Sequence, residues 1–344
     1  MYRICEQNTC QRINRLIDGG HPLVRKRGSQ RYDCIMCYSA RIETAFREYL
    51  RMTGAEIDLK QFYEIYSTRM VDKSVRIPRG LDRNFDNPKS DAERSIKALI
   101  NEYRDVTVSH LETEIFAQRK RLADAERKLL AKETKTGRES QRIATSKVTA
   151  ALERMSLQKG TQPHELDARI FPMTYAPIVI NDGERVIVRL ARYHCRQAGK
   201  PASIDRQYPG LYNARRDNLE KFWGEQFGYH HALMLVDSFY ENVERDGRNA
   251  VLHFVPRPAT PMLIACLYSE WVDPGDGKTL LSFAAITDDP PAEVRDAGHD
   301  RMIVNIQPHN IGRWLTPADR TVAELQAILN DRQMPYYAHE ELAA

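Results

Sequence analysis

The stretch that decides the fold is Ala176-Pro177-Ile178-Val179-Ile180-Asn181, which is followed after Asp182-Gly183 by Arg185-Val186-Ile187-Val188-Arg189. Two apolar runs rich in β-branched residues on either side of an Asp-Gly pair are typical of a β-hairpin. Three further apolar runs follow at 232–236, 262–267 and 280–286. Because these runs do not alternate regularly with crossover helices, they predict an α+β domain around a mixed or antiparallel β-sheet.

Helical periodicity dominates the chain on the N-terminal side of this hairpin. Apolar residues at three- and four-residue steps predict a helix from Ser39 to about Thr53, and a second helix from Leu59 through Tyr66. Near the C-terminus, Thr321 to Leu329 predicts a terminal helix with an ordinary packing role.

The most regular pattern covers residues 90 to 158. A helical apolar stripe is interrupted at Lys135-Thr136-Gly137 and then resumes, which predicts an antiparallel helical hairpin inserted into the domain. Such a hairpin is either an arm for a partner or nucleic acid, or a solvated structural element. Since mixed charges cover its outer faces, we favour the structural interpretation.

Charge and composition divide the chain unequally. The 344 residues are 42% hydrophobic and 28% charged, enough for one large domain or two small ones. Residues 1–35 hold seven Arg and Lys against three Asp and Glu, so they account for the whole formal charge of +4. We therefore predict a leader at 1–35, one domain at 36–320, and a helix and tail at 321–344.

No run of 18 apolar residues is present, and the first 30 residues lack an apolar signal segment, so we expect a cytoplasmic protein without a membrane partner. Six cysteines in such a chain are expected to be reduced, catalytic or metal-binding. Four of them, Cys5, Cys10, Cys34 and Cys37, have spacings that can supply a tetrahedral zinc site. One alternative is therefore a zinc-ribbon DNA-binding protein.

The segment Met36-Cys37-Tyr38-Ser39-Ala40-Arg41 has the appearance of a protein start. An N-terminal cysteine carries a thiol and a free amine, whose reference pKa is about 7.7–8.0, on neighbouring carbons. An aldehyde can react with both groups to close a thiazolidine ring, whereas the nitrogen of a mid-chain cysteine is an amide. This chemistry at Cys37 requires that the bond to Met36 be absent.

Three polar segments in the C-terminal half contain groups for acid–base chemistry beside an anionic ligand. They are Tyr212 to Leu219, Val236 to Asn242, and His299 to Met302. Each alone is typical of a turn, a cap or a solvated surface. Together they offer one amide, one carboxylate, one imidazole and two guanidiniums, namely Asn213, Glu241, His299, Arg215 and Arg301.

The order of several motifs resembles the SRAP family (SOS response-associated peptidases) over residues 36 to about 316. The motifs are Met36-Cys37-Tyr38-Ser39-Ala40, Tyr212-Asn213-Ala214-Arg215, Ser238-Phe239-Tyr240-Glu241, Ala265 to Trp271, Ser282 to Thr287, His299-Asp300-Arg301-Met302 and Trp314-Leu315. The ordered set is far more specific than any one motif.

The resemblance implies a sensor of abasic sites in single-stranded DNA. Cys37, exposed as the first residue, would be the nucleophile that forms a thiazolidine DNA–protein crosslink. Asn213 would position the amine of Cys37 and the sugar. Glu241 would act as general acid and base, and His299 would assist ring opening.

The DNA-binding role implied by the same resemblance falls on Arg215 and Arg301, which would hold the flanking phosphates. We expect a monomer that needs no metal and no cofactor. The sequence departs from the family pattern at Tyr38-Ser39, where Gly-Arg is common, at Asn242, where Trp is usual, and at Ile303, where Pro is usual.

The largest departure from the family pattern is the leader at 1–35, because it blocks the amine of Cys37. Either translation begins at Met36, and removal of that methionine exposes Cys37, or residues 1–36 are a propeptide removed by the site itself. We favour the first explanation. A further alternative is a cysteine protease with Cys37, His299 and Glu241, for which no free amine is needed.

Overall fold

Thirteen β-strands and nine α-helices lie in residues 39–41, 46–160, 167–245 and 247–342, the part of the chain that this computed structural model describes. The strands are β1 (Ser39–Arg41), β2 (Glu56–Ile57), β3 (Arg169–Ile170), β4 (Tyr175–Asn181), β5 (Val186–Tyr193), β6 (Asn213–Arg215), β7 (His231–Val236), β8 (Ser238–Arg245), β9 (Arg248–Arg257), β10 (Met262–Val272), β11 (Thr279–Asp288), β12 (Met302–Ile303) and β13 (Tyr336–Glu341). The helices are α1 (Phe46–Thr53), α2 (Leu59–Val71), α3 (Arg79–Asp82), α4 (Asp91–Ala131), α5 (Lys135–Lys159), α6 (Ile204–Gln207), α7 (Ala292–Asp296), α8 (Ile311–Leu315) and α9 (Val322–Asn330). These elements all belong to one compact unit, Met36–Ala344, and confirm the predicted α+β class.

The larger sheet closes on itself. Its strand order is β12-β11-β10-β7-β4-β5-β2, and a further pairing joins β11 to β5. The ring β11-β10-β7-β4-β5 is antiparallel except at β11–β5, where Ser282 lies parallel to Arg192. The sequence predicted the strands of this ring and left open whether the sheet is mixed or antiparallel, but it did not predict the closure.

Burial explains why the ring strands appear in the sequence as continuous apolar runs. All six residues of β7 are buried, as are the first six of β4 and the first eight of β10. A strand that is covered on both faces has no solvent side, so its residues do not alternate between apolar and polar. The turn of the β4–β5 hairpin lies at Asp182-Gly183, as predicted, and Gly183 has a φ of +97°.

A second sheet of five strands has the order β13-β9-β8-β1-β3. Only Asp237 separates β7 from β8, so the chain passes almost directly from the closed sheet into this one. Strand β1 is an interior strand, since Ala40 pairs with Phe239 on one side and with Ile170 on the other. The predicted helix from Ser39 is therefore wrong at its start: residues 39–41 are a strand, because pairing on both sides overrides local preference, and α1 begins at Phe46.

Helix α1 ends at Thr53, before Gly54, as the sequence predicts. The fully buried Tyr49 links it to the closed sheet, because its hydroxyl lies 3.1 Å from the Leu235 carbonyl oxygen and 3.2 Å from that of Pro177. The second predicted helix is α2, which begins at Leu59 after an Asp58 cap.

The antiparallel helical hairpin consists of α4 and α5. The break lies at 132–134 rather than at 135–137, because Thr134 caps α5 by accepting a hydrogen bond from the Gly137 amide at 3.1 Å. Ile96 and Ile100 of α4 belong to the main hydrophobic core. Farther out, the two helices pack on each other around a separate small cluster.

The C-terminal segment contains the predicted terminal helix, α9, which starts with a capping box between Thr321 and Glu324. The residues after it, expected as a tail, include strand β13, which pairs with β9 along its whole length. Within the described residues, no helix is both long and apolar enough to span a membrane.

Candidate active site

Glu241 lies in the middle of β8, with Leu252 of β9 opposite it. The sequence placed this residue after a strand, where carboxylates are usually solvated, but its exposed fraction is only 3%. Burial raises the pKa of the Glu241 carboxyl well above its ordinary value; Arg301 opposes this rise and Asp300 adds to it. A raised pKa favours the protonated form of the carboxyl, which can donate a proton.

His299 meets Glu241 from a loop that follows α7. Gly298 has a φ of +106°, a conformation that residues with a Cβ rarely adopt, so the turn before His299 depends on glycine. His299 Nδ1 lies 2.8 Å from the Arg301 carbonyl oxygen, which can only accept, so Nδ1 carries a hydrogen. The other ring nitrogen, Nε2, lies 3.1 Å from Glu241 Oε2.

The contact between Nε2 and the carboxyl requires one shared proton. Either a protonated Glu241 donates to Nε2, or a doubly protonated His299 donates to the carboxylate. Both side chains are largely buried: that of His299 is 14% exposed and that of Glu241 is 5% exposed. The pair can therefore give a proton to a reacting atom and take one back.

Asn213 and Arg215 come from β6, which runs parallel to β11. Arg215 and Ile303 of β12 are both paired with Thr287, so β6 and β12 flank the same end of β11. This pairing brings the Asn213-Ala214-Arg215 and His299-Asp300-Arg301 segments to one end of the sheet.

The polar groups of these two segments differ in their contacts. Asn213 Oδ1 is buried and, among the described residues, has no hydrogen-bond partner. A buried acceptor without a protein partner can accept a hydrogen bond from water or from a ligand. Arg215 forms a bidentate ion pair with Asp217, with Nε–Oδ1 at 3.0 Å and Nη2–Oδ2 at 2.9 Å.

Cys37 lies outside the described residues, as do Cys5, Cys10 and Cys34 of the zinc alternative. The described residues begin at Ser39, which is fully buried and pairs with Tyr240, the residue before Glu241. Within the described part of the chain, no group of three or more His, Cys, Asp or Glu residues is placed to hold a metal ion.

The two described cysteines, Cys195 and Cys266, are both free and buried. Burial raises the pKa of Cys195 to about 12 and raises that of Cys266 as well. Neither thiol is therefore a ready nucleophile.

Sequence reasoning missed a network beneath β1. Arg169 Nε donates to Ser39 Oγ at 2.6 Å, and its guanidinium lies 4.0 Å from the centre of the Tyr240 ring. On its other side Tyr240 stacks on His253 at 4.4 Å. His253 Nε2 lies 2.7 Å from Ser238 Oγ, with both residues buried. Tyr240 and Ser238 belong to the motif Ser238-Phe239-Tyr240-Glu241, but nothing in the sequence distinguishes Arg169 or His253 from surface residues.

Solved structures with a similar chain trace were found. A protein from Bacteroides thetaiotaomicron is 15% identical, with a TM-score of 0.44, and the match covers 51% of this chain and 78% of that one. A protein from Bordetella bronchiseptica is 20% identical, with a TM-score of 0.44 and coverage of 56% and 95%. A phage-related protein from Bordetella bronchiseptica is 18% identical, with a TM-score of 0.41 and coverage of 54% and 86%.

Comparison with protein families gives a clearer result, although no curated protein matches the sequence. The model of the family described as SOS response associated peptidase (SRAP) matches residues 136–342. The match includes Asn213, Arg215, Glu241, His299 and Arg301, and it begins well after Cys37. The description associates the family with the SOS response to DNA damage and with peptidases. Because the match spans more than half of the chain, the chain belongs to the SRAP family.

Proposed function

We propose that the protein recognises abasic sites in single-stranded DNA and forms a covalent thiazolidine crosslink with them through Cys37. The observation that carries this proposal is the buried Glu241–His299 pair, which lies one residue from the pairing partner of Ser39. Cys37 precedes Ser39 by two residues, so its Cα is within about 7 Å of that of Ser39. This bound on the distance supports placing Cys37 on the same side of the domain as the proton-transfer pair in the proposed reaction.

The reaction has three steps. His299 assists opening of the sugar ring to the aldehyde by moving a proton from the C1′ hydroxyl to the ring oxygen. The Cys37 amine adds to the aldehyde carbon to give a carbinolamine. The Glu241–His299 pair protonates the hydroxyl, which leaves as water, and takes the N–H proton, so that an imine forms. The Cys37 sulfur then adds to the imine carbon, and the pair carries the thiol proton to the nitrogen. The net change is one aldehyde plus one aminothiol, giving one thiazolidine and one water.

The remaining residues hold the reactants. Asn213 positions the amine and the sugar through its side-chain amide, and its buried acceptor is available for this role. Arg215 and Arg301 bind phosphates on either side of the lesion, which anchors DNA without regard to base sequence. Proton transfer by a positioned pair of this kind accelerates a reaction by about 10²–10⁴-fold.

The proposal requires a mature protein that begins at Cys37. Removal of residues 1–36 follows either from translation starting at Met36 or from hydrolysis of the Met36–Cys37 bond by the site itself. The second route is consistent with the peptidase in the family description. Intact mass and N-terminal sequencing of the native protein test this requirement, and a mature chain that retains residues 1–36 would contradict it.

The decisive experiment incubates protein that begins at Cys37 with a labelled single strand containing one abasic site. We expect a covalent product on a denaturing gel whose mass is the sum of protein and DNA minus one water. Protein with Cys37→Ala, protein with an acetylated N-terminus and the uncleaved chain should give none. An equal yield from Cys37→Ala would refute the role of Cys37.

A cysteine protease that uses Cys37, His299 and Glu241 is the competing activity, because the same proton-transfer pair would activate a thiol. It predicts peptide cleavage by protein whose amine is acetylated, with no crosslink. The same set of proteins therefore separates the two activities.

A further inference from the structure

The far half of the helical hairpin carries an excess of positive charge. Residues 119–147 hold ten Arg and Lys against four Asp and Glu, a net charge of +6. The near half, residues 91–118 and 148–159, holds five Arg and Lys against seven Asp and Glu, a net charge of −2. The charges that look mixed along the sequence are thus separated along the arm.

Ion pairing increases the contrast between the two halves. Three of the four acids in the far half pair with a neighbouring arginine: Asp124 with Arg127, Glu133 with Arg138 and Glu139 with Arg142. Seven basic residues of that half have no acidic partner among the described residues, namely Arg119, Lys120, Arg121, Lys128, Lys132, Lys135 and Lys147. Arg121, Lys128 and Lys132 follow each other at steps of seven and four, so they share one side of the arm.

The basic end stands away from the main core. Leu111, Ile115 and Ala151 form a cluster of their own between the two helices, separate from the core that contains Ile96 and Ile100. At 1.5 Å per residue, α4 continues for about 30 Å from Leu111 to its end at Ala131. The positive charge therefore lies on a long, solvated projection.

The root of the arm is fixed to the strands beside the candidate site. After α5, the Gly160 carbonyl accepts a hydrogen bond from Arg79 Nη2 at 3.1 Å. The buried Asp167 then binds Arg79 at 3.0 Å and Arg83 at 2.8 Å. Two residues later, Arg169 pairs with Arg41 of β1. DNA held at the site thus lies near the base from which the arm projects.

We propose that residues 119–147 bind the phosphate backbone of double-stranded DNA next to the single-stranded segment in the site. A duplex carries one negative charge per about 1.7 Å of its axis, which complements a net charge of +6. Proteins that bind single strands combine basic residues with aromatic side chains on which bases stack. Residues 119–147 contain no Phe, Tyr or Trp. Basic residues without aromatic side chains suit the phosphate backbone of a duplex, whose bases are already stacked on each other. This composition favours duplex binding by the arm over a purely structural role.

The inference extends the proposed function, because it takes the ligand in the site to be DNA. The test uses the full chain and measures binding by fluorescence anisotropy to two labelled DNAs, a single strand and the same strand with a duplex segment beside it. The variant combines Lys120→Gln, Lys128→Gln, Lys132→Gln and Lys135→Gln. We expect its affinity for the partly duplex DNA to fall about tenfold or more, with a salt-dependence slope shallower by about 2–4. Binding to the single strand should change less than about twofold.

A matched control removes the same charge from the near half of the arm: Arg94→Gln, Lys97→Gln, Arg104→Gln and Lys159→Gln. These four side chains are paired with Asp91, Asp86, Asp105 and Glu112. The control should bind partly duplex DNA like the unaltered protein. An equal loss in both variants, or no loss in the far-half variant, would refute the inference, as would failure of the unaltered chain to prefer partly duplex DNA.

The outcome is independent of the crosslinking chemistry. If the far-half variant loses duplex affinity but abasic DNA is not crosslinked by protein beginning at Cys37, the arm inference stands and the proposed function fails. If crosslinking occurs and the far-half variant binds like the unaltered protein, only the arm inference fails.

Discussion

Glu241 and His299, which are far apart in the chain, meet through one contact of 3.1 Å between Oε2 and Nε2. The contact joins an interior residue of β8 to a loop that leads into β12. Since Nδ1 of the histidine is hydrogen-bonded to the Arg301 carbonyl oxygen, the ring is oriented with Nε2 toward the Glu241 carboxyl.

The first prediction concerns the pH dependence of stability. Because burial raises the pKa of Glu241 in the folded protein, the unfolded chain releases this proton at lower pH than the folded one. Stability should therefore fall as the pH rises above about 4.5, until the folded group also ionises. Glu241→Gln cannot ionise, so it should match the unaltered protein near pH 4.5 and exceed it at pH 8 by about 1–3 kcal/mol.

Urea unfolding at both pH values measures this difference. The exposed Glu244 on the same strand supplies the control, since Glu244→Gln should shift stability little at either pH. An effect of Glu241→Gln that is the same at pH 4.5 and pH 8 would contradict a raised pKa of the buried Glu241 carboxyl.

The second prediction concerns proton transfer. His299→Asn keeps a donor that can reach the Arg301 carbonyl but has no counterpart of Nε2. On the proposed function, its single-turnover rate of crosslinking should fall about 10²-fold, while its affinity for an intact single strand should stay within about threefold. The control is His309→Asn, at a histidine whose side chain is 68% exposed. A His299→Asn protein with an unaltered rate would remove His299 from the mechanism.

The third prediction concerns the network beneath β1. Arg169→Met removes the hydrogen bond to Ser39 and the stacking on Tyr240, and it should lower the free energy of unfolding by about 2–3 kcal/mol. Arg185→Met removes an exposed ion pair with Glu56 and should cost less than about 0.5 kcal/mol. Urea denaturation compares the two, and equal losses would show that Arg169 is not a structural anchor.

The fourth prediction concerns His231, which is buried beside Trp314. Nδ1 lies 3.1 Å from the Trp314 carbonyl and Nε2 accepts the Gly228 amide at 3.0 Å, so the neutral ring is fully satisfied. Burial lowers the pKa of His231 to about 3. Below about pH 6.5 the unfolded chain takes up a proton at His231 that the folded chain does not. The free energy of unfolding should therefore fall by about 1.4 kcal/mol for each unit that the pH is lowered between about 6.5 and 3.

Nuclear magnetic resonance of ¹⁵N-labelled histidine rings tests this directly. The His231 signals should keep the neutral Nδ1–H pattern at least down to pH 4.5. Titration of His231 near pH 6.5 in the folded protein would contradict it.

The sequence predicted those parts of the fold whose signal is local. The apolar runs of β4, β7, β10 and β11 follow from burial on both faces, and the helical hairpin follows from its own stripe. Closure of the large sheet depends on the β11–β5 pairing between residues distant in the chain, which leaves no local pattern. The same reason hid β1, whose three residues are a strand only because β8 and β3 lie beside it.

For the candidate site, the residue types were predictable and the geometry was not. Ordered motifs selected Asn213, Glu241 and His299 as candidates, but an exposed and a buried glutamate look alike in sequence. Whether Glu241 is solvated or protonated depends on β9, β1 and the loop at His299 together. Arg169 could not be found, because its partners Ser39 and Tyr240 come from two other strands.

Because β1 is an interior strand, the chain can be divided into a short peptide that contains β1 and a larger piece that binds it. A protein that lacked residues 37–41 would have a gap between β8 and β3, with unpaired backbone groups on the facing edges of both strands. A synthetic peptide beginning with cysteine and ending with Ser-Ala-Arg has the backbone to fill that gap as a donated strand. The protein thus lends itself to semisynthesis, in which Cys37 is supplied on a peptide and the rest of the chain binds that peptide.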